Sequence, residues 1–261
     1  MPDRFQNHAN DIPATAGVPC RVVKESGEVT EKETGIIVEK ELEVSVNGIP
    51  AFRLTCTPEH LTELILGRLC TEGIIRNAEE VEHLFLCGEG NIAEVRLTED
   101  CTFEPYTGAE PTCCTGNRQL IQRAGEESAA VLPKVTPEPG TVFGLAEHFR
   151  RDGELHRSTG GAHSCYLRLE DGQVLSFEDV GRHNALDKAV GAMLLAHADP
   201  GSCMLFTTGR VAEDLARKVI AAGIPVLISK AVPTEAAVRL SKEAGLTLIC
   251  RAWPDSYELY S

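Results

Sequence analysis

The chain has 261 residues, 43% of them hydrophobic, and a net charge of −14 from 25 Lys and Arg against 39 Asp and Glu. That length supports one large domain or two small ones, and that hydrophobic fraction supports a packed core rather than disorder. The charge argues against a protein that wraps nucleic acid, whose phosphates demand cations, so any phosphate binding is expected to be local.

Residues 1–17 are polar, contain Pro and Ala, and lack an apolar signal core, so a disordered tail is expected. No stretch approaches the roughly 20 apolar residues that span a bilayer. A cytoplasmic protein without membrane contact is therefore expected. Leu42, Val44 and Val46 alternate with polar residues and stop at Asn47-Gly48, a strong hairpin signal. Residues 51–56 read as the return strand. Thr57 then reads as the cap of a helix with Pro58 at its first position. Leu61, Leu64, Ile65 and Leu69 form its buried face, and Gly73 ends it. Strands are expected over 81–87 and 92–97. Residues 18–123 thus read as a small α+β domain of ββαββ order, a scaffold with no chemistry of its own.

The ten cysteines include no C-x-x-C and no Cys/His spacing of a structural zinc site, so no metal is expected. Cys20, Cys56, Cys70, Cys87, Cys165, Cys203 and Cys250 sit in apolar runs and read as buried fillers. Cys113 and Cys114 lie instead in a stretch, 107–118, rich in Gly, Pro, Thr and Asn, which reads as an exposed loop. Arg118 is near enough in sequence to favour a thiolate, the reactive form. Three readings stay open for this pair: neutral surface thiols, a strained vicinal disulfide, and a working nucleophile or sulfur carrier.

Residues 124–141 carry Gly125, Pro133, Pro137, Pro139 and Gly140 and read as a linker. The second domain, 142–261, opens with a short helix over 145–151. Gly160-Gly161 before His163 suits either a plain turn or a nest of amides for a ligand. Residues 165–169 and 174–178 form a hairpin. The alternating run over 174–180 ends at Gly181, and Asn184 reads as the N-cap of a helix through Leu186, Val190, Met193 and Leu194. Arg182, His183, Asn184, Asp187 and Lys188 therefore crowd the carboxyl end of a strand, where open α/β sheets bind ligands and a helix N-terminus attracts phosphate. A capped helix with a solvated polar tip accounts for the same residues equally well.

The pattern repeats at a strand over 203–208, Gly209-Arg210 and a helix over 211–222. In a parallel sheet both Gly-Arg pairs fall on one edge, and two guanidinium forks suit a pyrophosphate. A strand over 225–229, a helix over 235–244 capped by Thr234 and a strand over 246–250 complete the domain. Residues 251–261 leave the same edge as a tail that could close over the site. The order hairpin, helix, strand, helix, strand, helix, strand is similar to the cytidine-deaminase-like three-layer α/β architecture. The H-x-E and P-C-x-x-C that hold that family's zinc are absent, so no deaminase activity is expected.

These pieces together resemble the formate dehydrogenase accessory sulfurtransferase family, the FdhD type. The resemblance rests on Val46-Asn47-Gly48, Thr57-Pro58, Thr71-Glu72-Gly73-Ile74-Ile75 and Thr159-Gly160-Gly161-Ala162-His163, and on the whole run from Glu178 to Lys188. Gly209-Arg210 with Lys218, Gly223-Ile224-Pro225 and Pro233-Thr234 complete it. It implies a cytoplasmic sulfurtransferase that takes persulfide sulfur from a cysteine desulfurase. The sulfur passes to a molybdenum cofactor, the bis-molybdopterin guanine dinucleotide, which is bound as substrate and destined for formate dehydrogenase or a related molybdoenzyme. By resemblance Cys113 is the persulfide carrier. Gly160, Gly161, His163, Arg182, His183, Asn184, Asp187, Lys188, Gly209 and Arg210 are candidates for holding the cofactor, as are Arg251, Ala252, Trp253, Pro254, Asp255 and Ser256 at the C-terminus. A homodimer is implied too. The family's C-G-x-C-G is replaced here by Cys113-Cys114-Thr115-Gly116, which keeps open a cofactor-binding chaperone that moves no sulfur.

Overall fold

Among the described residues Phe5 is the first that the fold buries, at 5% exposure, in a short strand β1 (Phe5–Asn7). The structure is a computed structural model that describes residues 3–9, 12–99, 131–151 and 153–261. β1 corrects the expected tail over 1–17, since an apolar Phe finds a place beside an unfilled sheet edge. A long ribbon follows, β2 (Thr15–Val23) paired antiparallel with β3 (Val29–Ile37), standing apart as its own two-stranded sheet.

The hairpin expected at Asn47-Gly48 is present between β4 (Lys40–Val46) and β5 (Ile49–Cys56). Both turn residues take left-handed φ, 50° and 77°, as a two-residue hairpin turn requires. Helix α1 (Leu61–Thr71) and strands β6 (Val81–Leu86) and β7 (Ile92–Leu97) complete the ββαββ unit. The sheet order is β1-β6-β7-β4-β5. Thr57 does not cap α1; the N-cap is His60, and Thr57 is buried for another task described below.

The expected linker over 124–141 is not free where it is described. Leu132 is 5% exposed, its amide donates to the Ala244 carbonyl, and Thr247 Oγ1 donates to the Val135 carbonyl. Helix α2 (Pro139–Arg151) then starts six residues earlier than expected, because Pro fits the first helical turn. A short helix α3 (Glu154–Thr159) leads into β8 (His163–Arg168) and β9 (Val174–Asp179). The remaining elements are α4 (Arg182–Leu195), β10 (Met204–Thr207), α5 (Glu213–Ala221), β11 (Val226–Ser229), α6 (Glu235–Ala244), β12 (Thr247–Cys250) and β13 (Glu258–Leu259). Thr234 caps α6 through the Ala237 amide, as expected.

The second sheet runs β13-β12-β11-β10-β8-β9 and is mixed: β10, β11 and β12 are parallel, while β8 and β13 run against them. Alternation sorts its side chains by face. Leu205, Leu227 and Leu248 pack with α4 and α5, whereas Phe206, Ile228 and Ile249 pack with α2. The tail expected to close over the site instead folds back, with β13 pairing antiparallel along β12.

One apolar core runs through both halves. Its joint is the crossing of α1 and α4. A Cβ on Gly67 would lie 1.7 Å from the Asp187 carbonyl oxygen, and one on Gly191 would lie 1.9 Å from that of Glu63. Only glycine lets the two backbones come this close.

Candidate functional site

The strand-to-helix corner after β9 is built on Asp179, which is fully buried. Its Oδ1 accepts from the Gly181 amide and Asn184 Nδ2, each at 2.9 Å. Its Oδ2 accepts from the Thr57 amide and hydroxyl, each at 3.0 Å, and pairs with Lys188 Nζ at 2.7 Å. Lys188 Nζ also donates to Thr57 Oγ1 and to the Glu178 carbonyl. Thr57 therefore fastens the first sheet to the second rather than capping a helix.

A second buried group sits one turn on. Asp187 Oδ1 accepts from Thr71 Oγ1 at 2.8 Å, and both its oxygens pair with Lys218 Nζ at 3.0 Å. Arg68 and Glu72 of α1 complete the cluster, with Arg68 Nε 3.1 Å from Glu72 Oε1 and Lys218 Nζ 3.3 Å from the same atom. Asn184, Asp187 and Lys188 are thus at 4%, 0% and 0% exposure, Asn184 held by the Thr55 carbonyl of β5, Asp187 by α1 and α5, and Lys188 by Thr57 and β9. They were expected to face a ligand. The structure instead uses them to weld the two sheets, because a buried charge must be paired and hydrogen-bonded where it stands. Asn184 is not the N-cap either, since α4 begins at Arg182 with Gly181 as its cap. The N-terminal half, read as plain scaffold, supplies Thr57, Arg68, Thr71 and Glu72 to this network.

The two Gly-Arg corners do meet. A Cβ built on Gly209 would lie 2.9 Å from Cβ of Arg182 and 3.1 Å from its Cδ. The Arg182 stem lies across Gly209, as expected for two corners on one sheet edge. Arg210 is exposed beside it. Asp214 of α5 anchors the other side, with Oδ2 2.9 Å from His183 Nε2 and 3.9 Å from Arg182 Nη2. Burial alone would raise the Asp214 carboxyl. The His183 hydrogen bond, the pull of His183, the Leu215 amide and Arg182 outweigh it and bring the pKa down to about 2. His183 is 1% exposed and so orients the edge from beneath rather than lining it.

His163 opens β8 at the same edge, with Nδ1 3.5 Å from Thr208 Oγ1. Burial, then the positive charges of Arg182, His156, Lys230 and His183, hold it below the usual imidazole range. The Gly160-Gly161 pair is not an open amide nest. Gly160 takes a left-handed φ of 70° as the C-cap of α3 and donates to the His156 carbonyl, while the Gly161 amide donates to Thr159 Oγ1. Glu178 closes the other end of α3, its two oxygens accepting from the Leu155 and His156 amides at 2.8 and 3.0 Å.

The C-terminal candidates sit beside the end of β11. The Arg251 and Ala252 amides donate to the Ala231 and Ser229 carbonyls, and Ala252 is buried. Arg251 is exposed near Glu258, and Trp253, Pro254, Asp255 and Ser256 form an exposed turn. Cavities of about 510 and 480 Å³ lie elsewhere, around His60, and neither is lined by Arg182, His163 or Arg210.

Cys113, with Cys114 and Arg118, lies outside the described residues. Of the cysteines read as fillers, Cys56, Cys70, Cys165, Cys203 and Cys250 are buried. Burial pushes the thiols of Cys56, Cys70 and Cys250 up to about 12. Cys20 and Cys87 are only half-buried, on the ribbon and at the β6–β7 turn, so the filler reading fails for them. The sequence offered no signal for Asp214, whose role arises only where α5 meets the start of α4.

A family model described as FdhD/NarQ family matches residues 37–261. The chain is 29% identical to the sulfur carrier protein FdhD of Bacillus subtilis (strain 168), over 91% of this chain and 92% of that one. It is 31% identical to the protein of the same description from Mycobacterium bovis, over 95% and 97%. A crystal structure described as that of a formate dehydrogenase accessory protein from Desulfotalea psychrophila matches with a TM-score of 0.80 at 25% identity, over 95% of this chain and 98% of that one.

Proposed function

The chain belongs to the FdhD/NarQ family, and from that premise we propose that it is a sulfur carrier serving formate dehydrogenase or a related molybdoenzyme. Cys113 is the carrier. Its thiolate attacks the terminal sulfur of a cysteine desulfurase persulfide; the donor S–S bond breaks, a new one forms on Cys113, and the donor thiolate leaves. The acceptor is the molybdenum of a bis-molybdopterin guanine dinucleotide, held as substrate. The protein acts in the cytoplasm as a homodimer.

The observation that carries the nucleotide half of this reading is the contact of Gly209 with the Arg182 stem. It supports two Gly-Arg corners acting on one phosphate chain, with His163 and Arg210 beside them. The hairpin and alternating helices and strands support reading the second half as a cytidine-deaminase-like scaffold reused for binding.

The test is mass spectrometry after incubation with a desulfurase and cysteine. One sulfane sulfur is expected on the wild type and on Cys203→Ala, and none on Cys113→Ala. Equal loading of both variants would remove Cys113 from the role. Rescue of formate dehydrogenase by Cys113→Ala but not by Arg210→Ala would favour a chaperone that binds the cofactor without moving sulfur.

A further inference from the structure

The edge that carries Arg182 has a second side. Arg182 opens α4, which covers one face of the sheet together with α5. Lys230 follows β11, and its Nζ lies 4.1 Å from the ring centroid of Phe149 on α2, which covers the opposite face. His156 stands behind the same ring, 6.5 Å between centroids, and its Nδ1 meets the carbonyl of Ala162, the neighbour of His163. His163 lies at the edge between the two sides.

We propose that Lys230 and His163 complete, with Arg182, a clamp that grips a nucleotide diphosphate across the sheet edge from both faces. The inference rests on the phosphate-binding reading of this edge. It adds a residue that the sequence did not single out and gives the ligand a position.

Charge supports it first. In a chain of net charge −14, the charges that act most strongly on His163 are Arg182, His156, Lys230 and His183, all of them basic. Asp214 offsets Arg182 and His183 on the α4 side. Among the described residues Lys230 has no carboxylate at ion-pair distance, and its partner is the face of Phe149. A cation–π contact holds an ammonium without cancelling its charge. Burial pushes the Lys230 amine down from its usual range, so an incoming anion would meet a partly dehydrated cation.

Backbone geometry supports it second. The Lys230 amide donates to the Thr207 carbonyl, and the carbonyls of its two neighbours, Ser229 and Ala231, accept from Ala252 and Arg251. Ser229 Oγ donates to the Gly209 carbonyl at 2.8 Å. The Lys230 main chain is thus fixed to the Gly209 corner before any ligand arrives, the preorganisation that a binding site needs. A diphosphate carries oxygens on two phosphorus centres, enough to reach a guanidinium on one side and an ammonium on the other.

The experiment is isothermal titration of the full chain with GDP and, separately, with inorganic pyrophosphate. Lys230→Met is expected to weaken both about tenfold or more, the scale of one charge-assisted hydrogen bond. Lys230→Arg should recover binding to within a few-fold, and Lys242→Met at an exposed position of α6 should match the wild type. Thermal unfolding of each variant separates lost binding from lost fold, and Lys230→Arg keeps the test open should Lys230→Met misfold. Wild-type binding by Lys230→Met, with binding lost in Arg182→Gln, would overturn the clamp while leaving the edge a phosphate site. Loss of GDP with pyrophosphate unaffected would overturn it too, since Lys230 would then read the base. No binding of either probe by the wild type would bring down this inference and the reading beneath it together.

Discussion

Lys188 and Asp179 meet at 2.7 Å in the interior, each at 0% exposure. Both belong to the run from Glu178 to Lys188, which looks from its composition like a ligand mouth. The pair divides that run in two. Arg182 reaches the sheet edge, whereas Asn184, Asp187 and Lys188 turn inward to hold one half of the protein on the other.

Lys188→Met should accordingly act on stability rather than on binding. Removing one partner of a buried, hydrogen-bonded ion pair leaves the other charge unpaired, at a cost of about 3–5 kcal/mol. Urea denaturation should show a lower midpoint and a loss of unfolding free energy of that size. An unchanged midpoint with nucleotide binding abolished would return Lys188 to the ligand.

The α1–α4 crossing makes a sharper claim. In Gly191→Ala the new methyl would stand 1.9 Å from the Glu63 carbonyl oxygen, which is backbone and cannot swing away. The helices must separate, and overpacking of this kind costs about 1–3 kcal/mol or more. Gly144→Ala is the matched control, at an exposed position of α2 with nothing within 4 Å of the new atom. It should be neutral, or stabilising by up to about 1 kcal/mol from helix propensity. Melting temperatures of the two variants should therefore move apart; equal values would mean that the crossing is looser than drawn.

What the sequence disclosed follows the range of the forces involved. Asn47-Gly48 and Thr234 act within four residues of themselves, so their turn and cap could be read directly. The convergence of Gly181-Arg182 with Gly209-Arg210 could be read because repeated strand, Gly-Arg and helix segments must align in one sheet. Lys188 and Asp187 were misread because their partners, Thr57 and Thr71, lie more than a hundred residues away. A buried ion pair and a binding cluster use the same residue types. Phe5 and the β2–β3 ribbon passed unnoticed because short or exposed strands carry little hydrophobic pattern.

Asp214 gives the edge a pH signature. Its carboxyl is held at about 2, below its ordinary 3.8, so it stabilises the fold while ionised. The sign follows from linkage: the contribution is complete above about pH 4 and disappears as pH falls through about 2. With solvent screening allowed for, it is on the order of 1 kcal/mol. Asp214→Asn should lower stability at neutral pH and flatten the acid limb of a stability–pH curve between about pH 4 and 2. Parallel curves for variant and wild type would show that His183 and Arg182 do not hold this carboxylate.

The ribbon yields the last test, that of the proposed homodimer. The register of β2 and β3 places Ala16, Val18, Cys20 and Val22 on one face with Ile36, Thr34, Lys32 and Thr30. Val18 and Ile36 there are 37% and 46% exposed. The opposite face carries Arg21, Glu31 and Glu33, and Ile37 at its base packs against Leu155 and Ala162. An isolated two-stranded ribbon is marginal in water and needs an apolar face covered. The face to cover here has a single charge, so a second chain that also carries −14 can approach it without repulsion at the contact. Light scattering should give a dimer for the wild type and for Glu31→Gln on the opposite face, and a monomer with unchanged circular dichroism for Val18→Glu with Ile36→Glu. A double variant that remained dimeric would place the interface elsewhere.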